Sequence, residues 1–278
     1  MAIDDLLGRR ALLKIKRFGP PGAYLDAGDG EDLLLIGHET PREAKVGDEV
    51  DAFIHLDSEG RPIATTRQAK LSLGEVAFLR VTSVTRVGAF FDWGLAKELL
   101  VPFAEQTVEH LDMGHRHAIG LYRDDSGRLA GTMKVAEMLD RKHAFRLDER
   151  VEGEAWRVDP AIGLFVILQR RFLGLVPASE PHGLSRGQAA TFRIASILRD
   201  GKIELSLRGH AHEELADDAA TVLAFVSRPD APRIGDKSSP DDIRDEVGLS
   251  KKAFKRAVGR LLKEGKVRID DDGYVLPV

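Results

Sequence analysis

The chain has 278 residues, 43% hydrophobic and 31% charged, which suits an ordered globular protein of two or more domains and not a disordered one. It contains no cysteine, so disulfides, thiol nucleophiles and thiolate metal sites are excluded. The net charge of −4 gives no overall attraction to a polyanion, so any such contact needs local basic patches.

No apolar run approaches the about 20 residues of a membrane helix. Met1 to Arg10 mixes charges of both signs without an apolar signal core, and a cytoplasmic protein is the expectation.

A repeat organises the first part of the chain. Three triplets read Gly22-Ala23-Tyr24, Gly88-Ala89-Phe90 and Gly163-Leu164-Phe165. A glutamate follows each aromatic by 15 residues: Glu39, Glu105 and Glu180. Further glycines recur in order, first Gly47, Gly114 and Gly187, then Gly60, Gly127 and Gly201. Each of the last set precedes a cation: Arg61, Arg128 and Lys202. One such match is cheap; the same ordered series three times is not.

Each unit holds short strand-like runs. In the second these are Val76 to Val84, Ala89 to Trp93, Glu98 to Pro102, His117 to Tyr122 and Leu129 to Val135. Asp124-Asp125-Ser126-Gly127 supplies a turn. In the third they are Ala155 to Val158, Leu164 to Gln169, Thr191 to Leu198 and Lys202 to Leu207. Five short strands without a long internal helix predict a small closed barrel. Period-2 alternation sends Phe90 and Phe91 to opposite faces, so one of them belongs to the core. Phe90 carries the functional expectation, whereas Phe91 and Trp93 do not.

After Arg208 the pattern becomes helical. His212 to Val226 has an apolar stripe of Leu215, Ala219, Val222, Leu223 and Val226. Ser239-Pro240-Asp241-Asp242 is a helix start, running to about Val247. Gly248-Leu249-Ser250 forms a turn and a new cap. Lys251 to Glu264 follows, with Phe254, Ala257, Val258, Leu261 and Leu262 as its buried stripe and Gly265 as its stop. Val267 to Ile269 and Tyr274 to Leu276 form a hairpin around Asp270-Asp271-Asp272-Gly273. Helix, turn, basic helix and hairpin predict a winged helix-turn-helix. Its basic set is Lys251, Lys252, Lys255, Arg256, Arg260, Lys263, Lys266 and Arg268, against one acid, Glu264.

The barrel landmarks resemble the S1 domain, an RNA-binding OB-fold module. The third repeat is nearest, with Gly163-Leu164-Phe165-Val166, Gly174-Leu175-Val176-Pro177-Ala178-Ser179-Glu180 and Gly201-Lys202-Ile203-Glu204-Leu205-Ser206-Leu207-Arg208. The second matches at Gly88-Ala89-Phe90-Phe91 and Leu100-Val101-Pro102-Phe103-Ala104-Glu105. The first is the most altered, with Pro20-Pro21 before Gly22. The resemblance implies that Tyr24, Phe90 and Phe165 stack on bases and that Arg61, Arg128 and Lys202 approach phosphate. A turn acid four positions earlier is Asp57 or Asp124; the third repeat has Leu198 there. The family's second aromatic is replaced by Pro21, Val87 or Ile162, and its histidine by Ile36, Pro102 or Pro177.

The whole chain resembles the bacterial conserved virulence factor B (CvfB/YitL-like) family. The expected fold is three five-stranded S1-like OB barrels (1–69, 70–147 and 148–208) followed by an α+β winged helix (209–278). The resemblance implies a non-enzymatic protein that binds single-stranded RNA and acts on gene expression after transcription, without cofactor or metal. Two other readings stay open: a DNA-binding regulator driven by the winged helix, and a protein-docking scaffold at the ribosome. Gly183-Leu184-Ser185-Arg186-Gly187 fits a nucleophile elbow, but Pro181 precedes it and a strand follows, so an esterase is rejected. His115-x-His117 and His210-x-His212 lack a third metal ligand.

Overall fold

A computed structural model of the chain describes residues 3–28, 30–140, 142–207 and 211–278, with backbone alone for 211–217. It consists of two compact units, Met1–Leu205 and Ser206–Val278. Arg208 and the pair His210-x-His212 lie outside the described residues or side chains.

The first unit opens with α1 (Ile3–Leu6), a turn of helix that the sequence pattern does not announce. Strands β1 (Arg10–Gly19), β2 (Gly22–Gly28), β3 (Glu31–Ile36), β4 (Glu49–Leu56) and β5 (Pro62–Thr65) close into a barrel in the order β1-β2-β3-β5-β4. Its inward residues, among them Ile15, Leu25, Leu33, Leu35 and Ile54, are almost fully buried. Strands β6 (Val76–Thr85), β7 (Gly88–Asp92), β8 (Leu99–Pro102), β9 (Arg116–Arg123) and β10 (Leu129–Thr132) repeat the plan, as do β11 (Arg150–Asp159), β12 (Gly163–Leu168), β13 (Phe172–Pro177), β14 (Ala189–Ile197) and β15 (Ile203–Ser206). The first and third barrels close through short parallel ladders, Leu34 with Ile63 and Gly174 with Ile203. The second is a five-stranded sheet, β10-β9-β6-β7-β8, without that ladder. There Gly131 sits against Leu99 and Val101, where an added Cβ would come within 3.1 and 2.8 Å of their side chains. Apolar side chains fill the seam that the other two barrels close with hydrogen bonds.

The recurring glutamate ties a turn to the closing strand. Glu39 accepts hydrogen bonds from the Thr65 hydroxyl, from Thr66 N–H (3.0 Å) and from Arg67 Nε (3.1 Å). Burial pushes its carboxyl up, but these hydrogen bonds outweigh burial and hold it below the ordinary range. The Thr132 hydroxyl, with Lys134 at 3.2 Å, does the same for Glu105 against a smaller opposing effect of burial. Both carboxylates are lowered in the folded state. Their stabilisation is therefore full above the unfolded glutamate value near about 4.3 and is lost as pH falls through the folded values. Glu39→Gln is expected to cost about 1–2 kcal/mol at pH 7 and to lessen the acid sensitivity of the barrels, read by urea melts between pH 6 and about 3.

The three barrels pack directly on one another. Phe53 of β4 meets Trp93 edge-on at 5.8 Å, and Arg123 pairs with Asp4 at 2.7 Å. Between the second and third barrels, Val76, Phe78, Ala118, Val135 and Leu139 form one apolar cluster with Ile167. Val76 N–H donates to Arg170 O, and Asp140 N–H donates to Arg171 O, each at 2.7 Å.

The second unit holds α2 (Ala211–Val226), α3 (Pro240–Val247), α4 (Lys251–Lys263) and the hairpin of β16 (Val267–Ile269) and β17 (Val275–Pro277). Ser239 and Asp242 form a reciprocal capping box with Pro240 at the first helical position. Gly248 closes α3 at φ +76°. Ser250 caps α4, whose end is tied by Gly265 N–H to Leu262 O and Lys266 N–H to Leu261 O. The core comprises Ala219, Val222, Phe225, Ile234, Ile243, Phe254, Ala257, Val258 and Leu261, among others. Phe225 joins the α2 stripe that the sequence assigns to its neighbours, and Leu215 is not among the described side chains. Leu262, expected in the buried stripe of α4, is 39% exposed. One position beyond Leu261, it is rotated about 100° off the buried face.

Candidate nucleic-acid interface

Each barrel carries the same device at its first hairpin. The register of the first strand slips by one residue opposite the recurring aromatic, leaving Lys16, Thr82 and Trp156 as the extra residues. A bulge of this kind re-aims the side chains beside it. The residue then paired with the aromatic is Arg17 for Tyr24, Ser83 for Phe90 and Arg157 for Phe165. All three aromatics are half-buried, and the residues on either side of each are buried. Phe91, by contrast, is fully buried, as alternation requires.

The barrels differ in what covers the ring. The Arg17 guanidinium lies 3.5 Å from the Tyr24 centroid and is held by Asp32 at 3.1 Å, which Lys16 also reaches at 2.9 Å. Arg157 lies 4.8 Å from the Phe165 centroid and 5.3 Å from that of Trp156. In the second barrel Ser83 replaces the arginine, and the Thr82 hydroxyl donates to Phe90 O at 2.9 Å. Arg17 and Arg157 escape sequence reasoning because the bulge shifts the pairing. A cation seven or eight residues before each aromatic, across the hairpin, is the signal that could have found them.

The charged turn residues are bound to one another. Asp57 accepts from the N–H groups of Glu59 and Arg61 and from the Arg61 side chain, which lies at 2.8 Å. Asp124 accepts from Ser126 and from Arg128, whose side chain lies at 3.2 Å. In the third barrel Leu198 occupies that acid's position, and Asp200 takes over the role, pairing with Lys202 at 2.7 Å. Side chains of Arg61, Arg128 and Lys202 remain 67%, 70% and 68% exposed, so each pair faces solvent. An Asp accepting two backbone N–H bonds first of all builds its turn.

Phe90, Asp124 and Arg128 come together in one groove, whose opposite wall is the Ser58-Glu59-Gly60 turn of the first barrel. Among the described residues no cation lies over the Phe90 ring, and the exposed Arg128, paired with Asp124, lines the same groove. The groove also contains Lys97, whose Nζ donates to Asp57 O at 3.0 Å.

On the winged helix, the buried face of α4 leaves Lys252, Arg256 and Lys263 on the opposite side, all exposed. Lys255 pairs with Asp236 at 2.6 Å. Arg260 and Lys266 share Glu264 at 2.7 and 2.8 Å and hold its carboxyl at about 2. Lys251 Nζ donates to Ser238 O. Among the described residues, Lys252, Arg256, Lys263 and the hairpin's Arg268 have no carboxylate within 4.0 Å. Gly259 interrupts the same face with open space before it, which lets a ligand approach the helix backbone closely.

Among the described residues no group of three His, Asp or Glu is arranged to hold a metal. No described helix is long and apolar enough to cross a membrane. The loop after Pro181 leads into β14 and not into a helix, which removes the structural context of a nucleophile elbow.

Barrels of OB topology with a winged helix define a multidomain protein built from nucleic-acid-binding modules. The S1 domain family matches residues 7–67, the repeat whose motifs depart furthest from the pattern, and the CvfB-like winged helix domain matches residues 227–276. The chain belongs to the family of conserved virulence factor B and YitL. It is 32% identical to the uncharacterized protein YitL of Bacillus subtilis, over 95% of this chain and 92% of the relative. It is 30% identical to conserved virulence factor B of Staphylococcus aureus, over 97% and 94%. A solved structure of a multidomain protein with nucleic acid binding domains from Streptococcus pneumoniae is 26% identical, with a TM-score of 0.42 over 99% of both chains.

Proposed function

We propose that the protein binds single-stranded RNA across its tandem barrels, without catalysing a reaction, and regulates gene expression after transcription in the cytoplasm. The observation that carries this reading is the groove where the uncovered ring of Phe90 lies with Arg128. A half-buried ring offers a stacking face to any base, and Arg128, paired with Asp124 yet 70% exposed, presents donors to a phosphate in the same groove. Tyr24 is the least available of the three aromatics, because Arg17 covers it and Asp32 holds Arg17 in place. Binding is therefore uneven, weakest at the first barrel and strongest from the second onward. Barrels packed side by side hold their sites at fixed spacing, so weak contacts add with little entropic loss.

The uncompensated face of α4 adds a second phosphate-binding surface. Lys252→Glu with Arg256→Glu is expected to weaken RNA binding and to reduce the slope of log affinity against log salt by about 1–2, as two phosphate contacts are lost. Anisotropy titrations with labelled single-stranded RNA at several salt concentrations measure this. The same cations favour one other reading, a duplex-DNA regulator working through the winged helix. Tighter binding of duplex DNA than of single-stranded RNA, abolished by the same two substitutions, would establish it. Protein pull-downs that survive nuclease treatment, without direct RNA binding, would favour the ribosomal scaffold.

A further inference from the structure

The groove between the second and third barrels contains Thr107, Lys134, Glu137, Trp156, Arg157 and Arg186. Trp156 is the extra residue of the third barrel's bulge, where the first and second barrels have Lys16 and Thr82. One part of the indole packs on the apolar cluster between the barrels, and the rest stays open to the groove. Among the described residues its N–H has no protein acceptor, whereas that of Trp93 donates to Lys97 O at 2.6 Å. Three cations, Lys134, Arg157 and Arg186, line the same groove. Lys134 also reaches Glu105 at 3.2 Å, and Arg157 is exposed. Arg186 is brought to the second barrel by its neighbour Gly187, which lies so close to Phe78 that a Cβ would stand 3.0 Å from the ring. Burial lowers the His117 pKa, and Arg186 is near enough to add to that effect.

Arg157 lies between two rings, 5.3 Å from Trp156 and 4.8 Å from Phe165. Indole, guanidinium and phenyl thus form a ladder leading from the groove to the recurring aromatic of the third barrel. We propose that this groove is a further base-stacking subsite, in which Trp156 takes an unstacked base of single-stranded RNA and Lys134 and Arg186 face the phosphates. It rests on the RNA reading above and adds the crossing point of the strand between the second and third barrels. Aromatic and guanidinium planes are the surfaces on which splayed bases stack, and cations beside them suit a polyanion better than an apolar ligand.

The chain has two tryptophans, so Trp93→Phe leaves Trp156 as the sole indole reporter. That variant is titrated with an end-labelled oligouridylate of about 12 nucleotides, a length within the range that one or two OB folds cover. RNA anisotropy and Trp156 emission are followed together. The expected result is a loss of Trp156 emission that saturates in parallel with the anisotropy, and protection of the indole from acrylamide. In the otherwise native chain, Trp156→Leu is expected to raise Kd about tenfold, the loss of roughly one stacked base. Full binding with unchanged Trp156 emission and accessibility would overturn the subsite alone. No anisotropy change with the native chain at any concentration would overturn the RNA reading, and the subsite with it. Because the emission arm retains the native Trp156, it decides the matter even if Trp156→Leu does not fold.

Discussion

Replacing Phe90 and Phe165 together by alanine is expected to weaken binding of single-stranded RNA by about 100-fold, about tenfold for each lost stacking platform. The two rings sit on different barrels, so their effects should add. Each is half-buried, flanked by the core residues Ala89 and Phe91 or Leu164 and Val166, which remain in place to fill the barrel centre when the ring is truncated. The fold should survive, as a thermal melt monitored by circular dichroism will show. Wild-type affinity in the folded double variant would remove both rings from the binding surface. Tyr24→Ala should have a smaller effect, since the Arg17 guanidinium already occupies one face of that ring.

The largest structural effect is expected at the glycine of the recurring triplet. Gly163 has φ +135°, and a Cβ there would stand 2.0 Å from Val176 O on the neighbouring strand. Gly22 and Gly88 repeat this at φ +150° and +145°, with Leu35 O at 2.1 Å and Val101 O at 2.3 Å. No side-chain movement relieves a clash with a paired backbone carbonyl, and the backbone conformation itself disfavours any side chain. Gly163→Ala should therefore destabilise the third barrel by more than about 3 kcal/mol. Gly183→Ala provides the control, because nothing lies within 4 Å of its added Cβ. Its effect should stay within about 0.5 kcal/mol. Urea melts of both variants test the difference, and equal stabilities would contradict it.

These glycines explain why the architecture is legible in the sequence. Gly22, Gly88 and Gly163 recur because strands β2, β7 and β12 touch their neighbours there. Glu39 and Glu105 recur because each accepts the hydroxyl at the end of its closing strand, Thr65 or Thr132. Such constraints fix a residue type at a fixed position, and the repeated spacing records them. The winged helix is legible for a similar reason: Ser239-Pro240 and Ser250 are caps whose chemistry is local.

The interface was less legible. A bulge has no residue signature, so the spacing of seven or eight residues from Arg17 to Tyr24 and from Arg157 to Phe165 is a weak trace of their pairing, and Trp156 reads as an ordinary strand residue. The cations Arg61 and Arg128 look like phosphate contacts by position, but the same turn that places them also supplies their counter-charges, Asp57 and Asp124. Packing between barrels is also invisible to a pattern read one strand at a time. Phe53 and Phe78 alternate like core residues of their own barrels, yet Phe53 meets Trp93 of the second barrel and Phe78 packs with Ile167 of the third.

One RNA strand running over several barrels is tested most directly by anisotropy titration of the full chain with oligouridylates of about 6, 12 and 24 nucleotides, since a single OB fold covers about 4–16. Affinity should rise by at least about tenfold across the series as successive barrels are engaged, and should fall with added salt. A Kd that does not change with RNA length, or binding of duplex DNA in preference to every single strand, would contradict it.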